Sequence, residues 1–525
     1  MLFRSVVRQK QNDSADYFLG GRDATWLAIG ASIFASNIGS EHLIGLAGAG
    51  ASSGMAMAHW EIQGWMILIL GWVFVPFYTR SMVYTMPEFL ERRYNPQSRT
   101  ILSVISLVSY VLTKVAVTVY AGGLVFQQVF GIKELWGIDF FWIAAIGLVV
   151  LTALYTIFGG MKSVLYTSVL QTPILLLGSL IILVLGFKEL GGWDEMMRVC
   201  GAVTVNDYGD TMTNLIRSND DANFPWLGAL IGSAIIGFWY WCTDQFIVQR
   251  VLSGKNEMEA RRGTIFGAYL KLLPVFLFLI PGMIAFALHQ KYIGAGGEGF
   301  LPMLENGTAN ADAAFPTLVA KLLPAGVKGL VVCGILAALM SSLASLFNSS
   351  AMLFTIDFYK RFRPQTSEKK LVGIGQVATV VIVILGILWI PIMRSVGDVL
   401  YTYLQDVQSV LAPGIAAAFL LGICWKRTSA QGGMWGLISG MVIGLTRLGA
   451  KVYYSNAGEV ADSTFKYLFY DMNWLFFCGW MFLFCIIVVI VVSLATEAPT
   501  AEKIQGLVFG TATKEQKAST RACIS

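Results

Sequence analysis

One stretch of the chain, residues 31–50, is long and apolar enough to cross a bilayer, yet it carries polar residues at its centre. A lipid-facing helix would not hold these residues, because a charged side chain at the bilayer centre costs about 2.5–3.5 kcal/mol on insertion scales. We therefore predict a helix that breaks within the membrane and offers its backbone ends to a small polar solute or ion. The central residues are Ser36, Asn37, Gly39, Ser40, Glu41 and His42.

The rest of the sequence has the composition of a polytopic membrane protein. Hydrophobic residues make up 56% of the 525 residues, charged residues make up 13%, and the mean hydropathy is +0.65. No soluble core could use so much apolar sequence. About twelve segments are long enough to span ~30 Å of hydrocarbon. They lie near 26–51, 62–80, 101–130, 139–159, 164–187, 225–249, 264–288, 327–356, 371–393, 398–425, 431–450 and 473–495.

The basic residues of the short loops fall on one side when successive loops are assigned alternately to the two sides of the membrane. By the positive-inside rule this side is cytoplasmic, so the basic runs indicate topology and not nucleic-acid binding. We expect a multi-pass protein of the cell membrane, in a bacterial inner membrane, without an obligate protein partner. The predicted parts are an N-terminal lead over 1–24, a core of ten membrane helices over 25–425, two further helices over 426–495 and a cytoplasmic tail over 496–525.

A second candidate break lies in the sixth span, where Gly237 precedes a polar and aromatic run that ends at Asp244. The first and sixth spans correspond if residues from about 25 to 187 and from 224 to 425 are two repeats, although no residue-level repeat accompanies the pattern. Two interrupted helices five spans apart are expected of an inverted-repeat transporter whose site lies at the repeat interface.

Five ionisable residues lie inside or just within apolar spans: Glu41, Glu61, Lys114, Asp244 and Lys271. A buried ammonium such as that of Lys271 either loses its proton or pairs with a carboxylate. One interpretation is a static Lys–Glu strut between helices. The other is a hydrogen-bonding site for a polyhydroxylated or anionic solute. A carboxylate beside an ammonium suits a neutral sugar, because hydroxyl groups both donate and accept hydrogen bonds.

The eighth span carries a run of small polar residues, Ser341, Ser342, Ser345, Asn348 and Ser349. Spacings of three and four residues place several of the hydroxyls on one helical face. Such a face is typical of close helix packing, with hydroxyls bonded to carbonyl groups one turn back. It also suits a Na⁺ site completed by free carbonyl oxygens at the first break, because neutral hard oxygens match a monovalent cation.

Four aromatic residues, Trp60, Tyr240, Trp241 and Tyr401, suit stacking on a sugar ring or gating of its site. Aromatic residues at span ends are also typical anchors at the membrane interface, which is the other interpretation. The sequence has no nucleophile–base motif and no metal-ligand spacing, so an enzyme is not expected.

Several blocks of the sequence together resemble the sodium/glucose cotransporters of the solute:sodium symporter family. The similarity is collinear from about residue 15 to 450. It implies an all-α polytopic protein with the LeuT-type five-plus-five inverted repeat and additional C-terminal helices. It also implies Na⁺-driven uptake of a hexose, glucose or galactose, by alternating access. The blocks are ASNIGSEHLIGLAGAG, GWVFVPFYTRSMVYTMPEFLERRY, ALYTIFGGMKSVLYT, WYWCTDQFIVQR, ALMSSLASLFNSSAMLFTIDFYK and APGIAAAFLLGICWKR.

The resemblance also implies roles for individual residues, with Tyr240 as the inner gate that stacks on the sugar. The outer hydrophobic gate would be formed by Leu46, Trp60 and Tyr401. The Na⁺ site would use the carbonyl oxygens of Ala35, Ile38 and Ala338 and the hydroxyls of Ser341 and Ser342. The sugar site would comprise Asn37, His42, Glu61, Tyr240, Trp241, Lys271 and Gln405.

Three features depart from the family pattern. Gly237 stands where the bacterial galactose carrier has a sugar-binding Asn, which leaves the identity of the sugar open. Ser168 stands where many relatives have Asp, which favours one Na⁺ per sugar. The family's extra N-terminal span is nearly missing, which indicates a truncated start. Glu41, Lys114 and Asp244 receive no role from the resemblance.

Two alternatives to a hexose carrier remain open. One is a sodium symporter of the same fold for another polyol or small solute, such as myo-inositol. The other is a sodium-dependent sugar sensor, which binds its ligand without net transport. A competition panel separates the solutes, and binding without flux would identify the sensor.

Overall fold

The computed structural model describes residues 13–39, 41–304, 307–394, 400–456 and 461–513. This part of the chain is an almost entirely helical bundle. The strands found in it form a short hairpin, in which Glu134–Leu135 pairs antiparallel with Ile138–Asp139. Within these described ranges, eight helices are long and apolar enough to cross a membrane. They cover Glu41–Ser81, Phe140–Leu190, Trp226–Leu252, Glu257–Gly294, Ala325–Phe362, Glu368–Leu388, Gln405–Cys424 and Trp474–Ala495.

The first half of the chain is divided into short helical pieces because breaks and turns interrupt its membrane segments. Trp26–Asn37 and Ala116–Phe130 are shorter apolar helices. The pieces that include π-helical turns are Glu41–Leu46, Leu70–Phe74 and Tyr110–Val115. The α-helical pieces are Ser14–Leu19, Trp26–Asn37, Ala47–Ser53, Ala58–Ile62, Trp65–Ile69, Val75–Ser81, Met86–Arg93, Pro96–Ser109 and Ala116–Phe130.

From residue 140 onwards the chain contains longer helices. The π-helical turns in this part are Phe238–Thr243, Val275–Leu279, Leu353–Tyr359 and Tyr467–Asp471. The α-helices from the middle of the chain onwards are Phe140–Leu190, Trp193–Gly201, Trp226–Gly237, Gln245–Leu252, Glu257–Leu270, Ile280–Gly294, Ala314–Leu322, Ala325–Met352, Glu368–Arg394, Leu400–Cys424, Ala430–Asn456, Trp474–Ala495 and Ala501–Ile504.

Phe140–Leu190 is too long for one crossing, because its 51 residues exceed the roughly 20 that span a bilayer. Gly160 breaks it with φ +54° and ψ −153°, a backbone conformation that glycine adopts readily. The break falls between the two predicted spans 139–159 and 164–187. The long helix therefore contains both of those spans.

The first apolar helix, Trp26–Asn37, lies inside the bundle and not at its edge. It packs against Glu257–Leu270 and Phe140–Leu190, and Phe140–Leu190 in turn packs along Ala325–Met352. Ten of its twelve residues are buried. The three C-terminal helices Leu400–Cys424, Ala430–Asn456 and Trp474–Ala495 pack on one another. Because Trp26–Asn37 is surrounded by other helices, its end at Asn37 falls among protein side chains and not in lipid.

Candidate functional site

The first span is broken at its centre, as the sequence predicts. Trp26–Asn37 ends where Ile38 takes an extended conformation, φ −78° and ψ 91°. In a continuous helix the Gly39 N–H would bond the Ala35 carbonyl and the His42 N–H would bond that of Ile38. Instead, the Gly39 N–H donates to the Asn37 oxygen at 3.0 Å, and the His42 N–H donates to the Gly39 oxygen at 3.2 Å. The carbonyls of Ala35 and Ile38 are thereby released from the helical hydrogen-bond pattern.

A second break lies in the sixth span, again as predicted. Trp226–Gly237 continues into the π-helical turn Phe238–Thr243, and Asp244 is extended with φ −73° and ψ 128°. The Asp244 carboxylate then accepts the N–H of Phe246 at 3.1 Å and caps the next helix. The two breaks meet directly, because the Asn37 amide donates to the Tyr240 hydroxyl at 3.0 Å.

Lys271 is the centre of a buried polar cluster beside the first break. Its ammonium lies 2.8 Å from Asn37 Oδ1, 2.8 Å from His42 Nε2 and 2.7 Å from Glu61 Oε2. All four residues are 5% exposed or less. An ammonium has three N–H donors, and three partners surround this one. The charge of Lys271 is thus compensated by Glu61, while Asn37 and His42 complete its coordination.

The ring of His42 presents a free donor to its surroundings. Its Nε2 accepts a hydrogen bond from the Lys271 ammonium, so the ring proton of the neutral imidazole lies on Nδ1. Nδ1 is buried and has no hydrogen-bond partner in the described part of the chain. His42 lines the cavity described next, where a solute hydroxyl could accept a hydrogen bond from the ring.

A small polar cavity adjoins this cluster. Its volume of about 40 Å³ leaves room for about three waters at 10–15 Å³ each, so its walls must part to admit a larger solute. Several wall atoms are buried polar groups without hydrogen-bond partners among the described residues: His42 Nδ1, Trp60 Nε1, Gln63 Nε2, Gln405 Oε1 and Gln408 Nε2. Buried polar groups are normally satisfied, so this concentration of unpaired donors and acceptors points to a ligand that supplies the partners.

The cavity includes every residue that the sequence assigns to the sugar site. Trp60 was predicted as a gate residue, and five further wall residues were not assigned to the site: Glu41, Gln63, Ile236, Gly237 and Gln408. A polar side chain inside an apolar span is a signal that could have identified the two glutamines. The complete wall is formed by Asn37, Glu41, His42, Trp60, Glu61, Gln63, Ile236, Gly237, Tyr240, Trp241, Lys271, Gln405 and Gln408.

Gln63 lies against the glycine at position 237. A Cβ atom on Gly237 would lie 2.7 Å from Gln63 Oε1, closer than real Cβ contacts, so a larger residue at this position would displace the flexible end of Gln63. Gln63 thereby contributes an amide to the cavity wall beside Gly237.

The predicted Na⁺ ligands lie where the first break meets the helix Ala325–Met352. The Ser342 hydroxyl donates to the Ser36 carbonyl at 2.7 Å, which leaves its lone pairs able to accept a cation. A side chain on Gly39 would collide with Ser342 Oγ, so the glycine permits this close approach. The Ser341 and Ser168 hydroxyls are 3.2 Å apart. These neutral oxygens, with the released carbonyls of the break, fit a monovalent cation.

Other hydroxyls of the serine run hold helices together. Ser345 Oγ lies 2.7 Å from Ser36 Oγ and also donates to the Ser341 carbonyl at 2.7 Å. The Ser349 hydroxyl donates to Gln249 Oε1 at 2.7 Å. The run therefore combines helix packing with hydroxyls that face the break. Ala338, the remaining predicted ligand on this helix, is 1% exposed.

Lys114 and Asp244 form a second buried ion pair, with 2.6 Å between Nζ and Oδ2. Tyr110 also donates to Asp244 and accepts the N–H of Phe246 at 3.0 Å. The Lys114 ammonium lies 4.4 Å from the centre of the Tyr240 ring. This pair fixes the second break against the third span. The interpretation of a static ion pair between helices, which the sequence suggests for Lys271, therefore fits Lys114 better.

Glu41 lies between the two ion pairs. Its side chain lines the solute cavity and also a second cavity of about 10 Å³, which reaches Lys114 and Ser342. Within the described part of the chain, its carboxylate has no hydrogen bond or ion pair at contact distance. Glu41 is therefore an available acceptor that links the surroundings of the solute cavity to those of the predicted ion site.

The predicted gate residues are only partly brought together. The Tyr240 ring meets Trp241 edge to face, with 4.9 Å between ring centres. The Trp60 ring stacks on Trp474 of the last membrane helix at 5.6 Å. Leu46 is fully buried but does not line the solute cavity. Tyr401 belongs to the helix Leu400–Cys424, and its side chain lies outside the described part of the structure.

Sequence comparison places the whole chain among known transporters. The profile described as "Sodium:solute symporter family" matches residues 17–440. The chain is 37% identical over 520 residues to sodium/myo-inositol cotransporter 2 of Homo sapiens, covering 97% of this chain and 76% of that protein. It is 36% identical over 530 residues to the human sodium/myo-inositol cotransporter, covering 97% of this chain and 73% of that protein.

Solved structures agree on the fold. A substrate-bound, outward-open Na⁺-coupled sialic acid symporter superposes with a TM-score of 0.74 at 22% identity, covering 95% of this chain and 96% of that one. MhsT in complex with L-phenylalanine gives a TM-score of 0.52 at 11% identity, covering 90% and 99%. The protein is therefore a multi-pass membrane protein with the LeuT-type fold, as the resemblance implies.

Proposed function

The chain belongs to the sodium:solute symporter family, and on that premise we propose that it carries a neutral cyclic polyol, foremost myo-inositol, together with Na⁺. The observation that supports the polyol is the set of unpaired donors and acceptors on the cavity wall. A hydroxyl group both donates and accepts, so a ring with a hydroxyl on each carbon can pair with groups that approach from several sides.

The charges near the cavity favour a neutral solute. The Lys271 ammonium is compensated by Glu61, and Glu41 adds an unpaired carboxylate to the wall. An anionic solute would meet this carboxylate in a buried site, where like charges repel strongly. A neutral polyol avoids that repulsion and donates hydroxyl protons to the carboxylate instead.

The comparisons favour myo-inositol over the hexose that the resemblance first suggests. The curated relatives described above are named as myo-inositol cotransporters, and the match extends over 97% of this chain. An amide on Gln63, and not on residue 237, is compatible with a different orientation of the solute ring in the cavity. A hexose remains the second candidate, because the charged cluster of Lys271, Glu61 and His42 suits any neighbouring pair of hydroxyls.

In this proposal the first break couples the two solutes. Na⁺ would bind the carbonyls of Ala35, Ile38 and Ala338 and the hydroxyls of Ser341 and Ser342, and would hold the break against Ala325–Met352. Asn37 and His42, on either side of the break, would contact the polyol. Each ligand would then stabilise the conformation that the other requires, which is the condition for thermodynamic coupling.

Uptake into proteoliposomes tests the proposal. We expect labelled myo-inositol to accumulate with an inward Na⁺ gradient and not with an equal K⁺ gradient, and unlabelled myo-inositol to compete better than glucose or galactose. If glucose or galactose competes better than myo-inositol, the substrate is a hexose and not myo-inositol. Uptake that is equal in Na⁺ and K⁺ would refute the coupling, and binding without any flux would identify a sensor.

The Na⁺ site is tested by Ser342→Ala. Loss of one neutral oxygen ligand should raise the Na⁺ concentration for half-maximal uptake by about 3- to 10-fold, since a neutral hydrogen-bonding group contributes about 0.5–1.5 kcal/mol. Ser439→Ala is the matched control, because Ser439 lies on the C-terminal helix Ala430–Asn456 and its hydroxyl donates to the Gly436 carbonyl. Unchanged Na⁺ dependence in Ser342→Ala would remove Ser342 from the site.

A further inference from the structure

A basic cavity lies away from the solute site, where the second span ends. Its volume is about 400 Å³, ten times that of the solute cavity. The loop charges predict that this side of the membrane is cytoplasmic. Three basic side chains and one acidic side chain contribute to the wall, which is formed by Arg80, Ser81, Arg92, Glu502, Lys503, Gln505, Gly506 and Leu507.

Arg80 is the least satisfied of the basic groups. It lies in the last turn of Val75–Ser81, and its Nε is buried without a hydrogen-bond partner. Across the described residues, the Arg80 guanidinium also has no ion pair. By contrast, Arg92 pairs with Glu88 at 2.9 Å, and Lys503 donates to the Glu91 carbonyl at 2.9 Å. A buried donor without a partner indicates that an acceptor belongs beside it.

The cavity is a defined part of the fold and not a gap beside a loose tail. The segment that follows the last membrane helix docks onto the bundle through Val508, which is 1% exposed. The Phe509 N–H donates to the Ile423 carbonyl at 2.9 Å, and the Phe509 ring meets Phe77 edge to face at 5.0 Å. Lys503 is thereby held opposite Arg80 and Arg92.

The surroundings of the cavity indicate the type of anion. A guanidinium is a planar fork of donors that matches phosphate oxygens, and Lys adds a point charge. Met82, just after Arg80, and Trp72, about two turns before it on the same span, are each 58% exposed. Basic groups at a span end that continues into exposed apolar surface are typical of the boundary between headgroups and acyl chains.

We propose that this cavity binds the phosphate of an anionic phospholipid and so joins the C-terminal segment to the end of the second span. The headgroup phosphate would lie between Arg80, Arg92 and Lys503, and the acyl chains would follow the exposed surface of Trp72 and Met82. The site is independent of the transported solute, so its failure would leave the proposed function unaffected.

Native mass spectrometry of the full-length protein in detergent tests the site. Dioleoyl phosphatidylglycerol and phosphatidylcholine are titrated separately, and glycerol 3-phosphate serves as the soluble phosphate. We expect phosphatidylglycerol to bind at least about 10-fold more tightly than phosphatidylcholine, and glycerol 3-phosphate to bind more weakly than the lipid. Equal binding of the two lipids would overturn the site, and glycerol 3-phosphate binding as tightly as phosphatidylglycerol would overturn its assignment to a lipid.

Two substitutions locate the binding. Arg80→Gln should weaken phosphatidylglycerol binding about 10-fold, because one charge-assisted contact is lost. Arg80→Lys keeps the charge but not the planar fork of donors, so its affinity for phosphatidylglycerol should lie between that of Arg80→Gln and that of the wild type. This second variant also tests the site if Arg80→Gln does not fold. Arg198→Gln is the control, since Arg198 is exposed and pairs with Glu195 within the helix Trp193–Gly201, which does not line the cavity. Wild-type affinity in both Arg80 variants would refute the proposal.

Discussion

Replacing Lys271 by Met separates the structural role of the buried cluster from its role in transport. The substitution removes the positive charge and leaves the Glu61 carboxylate, which is 1% exposed, without a cation at contact distance among the described residues. The neutral His42 ring lies 3.3 Å away. Removing one partner of a buried ion pair costs about 3–5 kcal/mol, because the remaining charge is uncompensated. We expect Lys271→Met to lower the free energy of unfolding by that amount and to abolish Na⁺-driven uptake.

The double variant Lys271→Met with Glu61→Gln has no uncompensated charge. It should therefore regain most of the lost stability, since a neutral replacement of a buried pair is often tolerated. Uptake should stay absent, because both groups that would bind solute hydroxyls have changed. If the pair were only structural, recovery of stability in the double variant would also restore uptake.

The assay is reversible unfolding in mixed micelles of a mild detergent and dodecyl sulfate, followed by tryptophan fluorescence, with uptake measured in proteoliposomes. Lys451→Met is the matched control: Lys451 pairs with Asp406, and its side chain is 30% exposed. Solvent screens this partly exposed pair more than the buried one, so the control should lose less stability than Lys271→Met. A double variant that transports normally would refute the solute-binding role, and a single variant as stable as the control would refute the electrostatic argument.

Three further substitutions address the cavity wall and the second break. Gly237→Ala should reduce uptake, because the added Cβ would displace Gln63. Adding Gln63→Ala in the same chain should restore the space. A Gly237→Ala variant with normal affinity and rate would contradict the 2.7 Å clash. Glu41→Gln should raise the KM for the polyol several-fold and weaken the discrimination against anionic analogues in a competition assay, whereas unaltered competition would exclude a wall role. Asp244→Asn leaves the Lys114 ammonium buried without its carboxylate and should destabilise the protein by about 3–5 kcal/mol. Addition of Lys114→Met should reverse most of that loss in the same unfolding assay, and an equally unstable double variant would contradict the pairing.

Polarity inside apolar segments was sufficient to predict both breaks. Backbone groups cannot stay unpaired in lipid, so the polar run at residues 36–42 and the change at Gly237–Asp244 required breaks inside protein. The family resemblance then assembled residues from five spans into one site, and the structure does bring Asn37, His42, Glu61 and Lys271 into contact.

The remaining wall residues could not be predicted, because their positions depend on local geometry that is not visible in the sequence. Gln63 lines the cavity from the turn between the short helices Ala58–Ile62 and Trp65–Ile69, and no proline marks that turn. The sequence identified Lys114 and Asp244 as intramembrane charges but not as partners. They are 130 residues apart, and their pairing depends on how the third span packs against the second break.

The close spacing of the two predicted binding surfaces suggests how coupling arises. Ser36 and Ile38 belong to the ion side of the first break, while Asn37 between them bonds both Lys271 and Tyr240 on the solute side. Fixing the backbone of one residue costs about 1–2 kcal/mol of conformational entropy. A cation that orders Ile38 also restrains Asn37, so the solute that binds second meets a smaller entropic cost. A saving of this size lies within the 1–3 kcal/mol typical of coupled sites and corresponds to about a 5- to 30-fold effect on affinity. Because coupling is reciprocal, Ser342→Ala should weaken the effect of Na⁺ on polyol affinity and the effect of the polyol on Na⁺ affinity by the same factor.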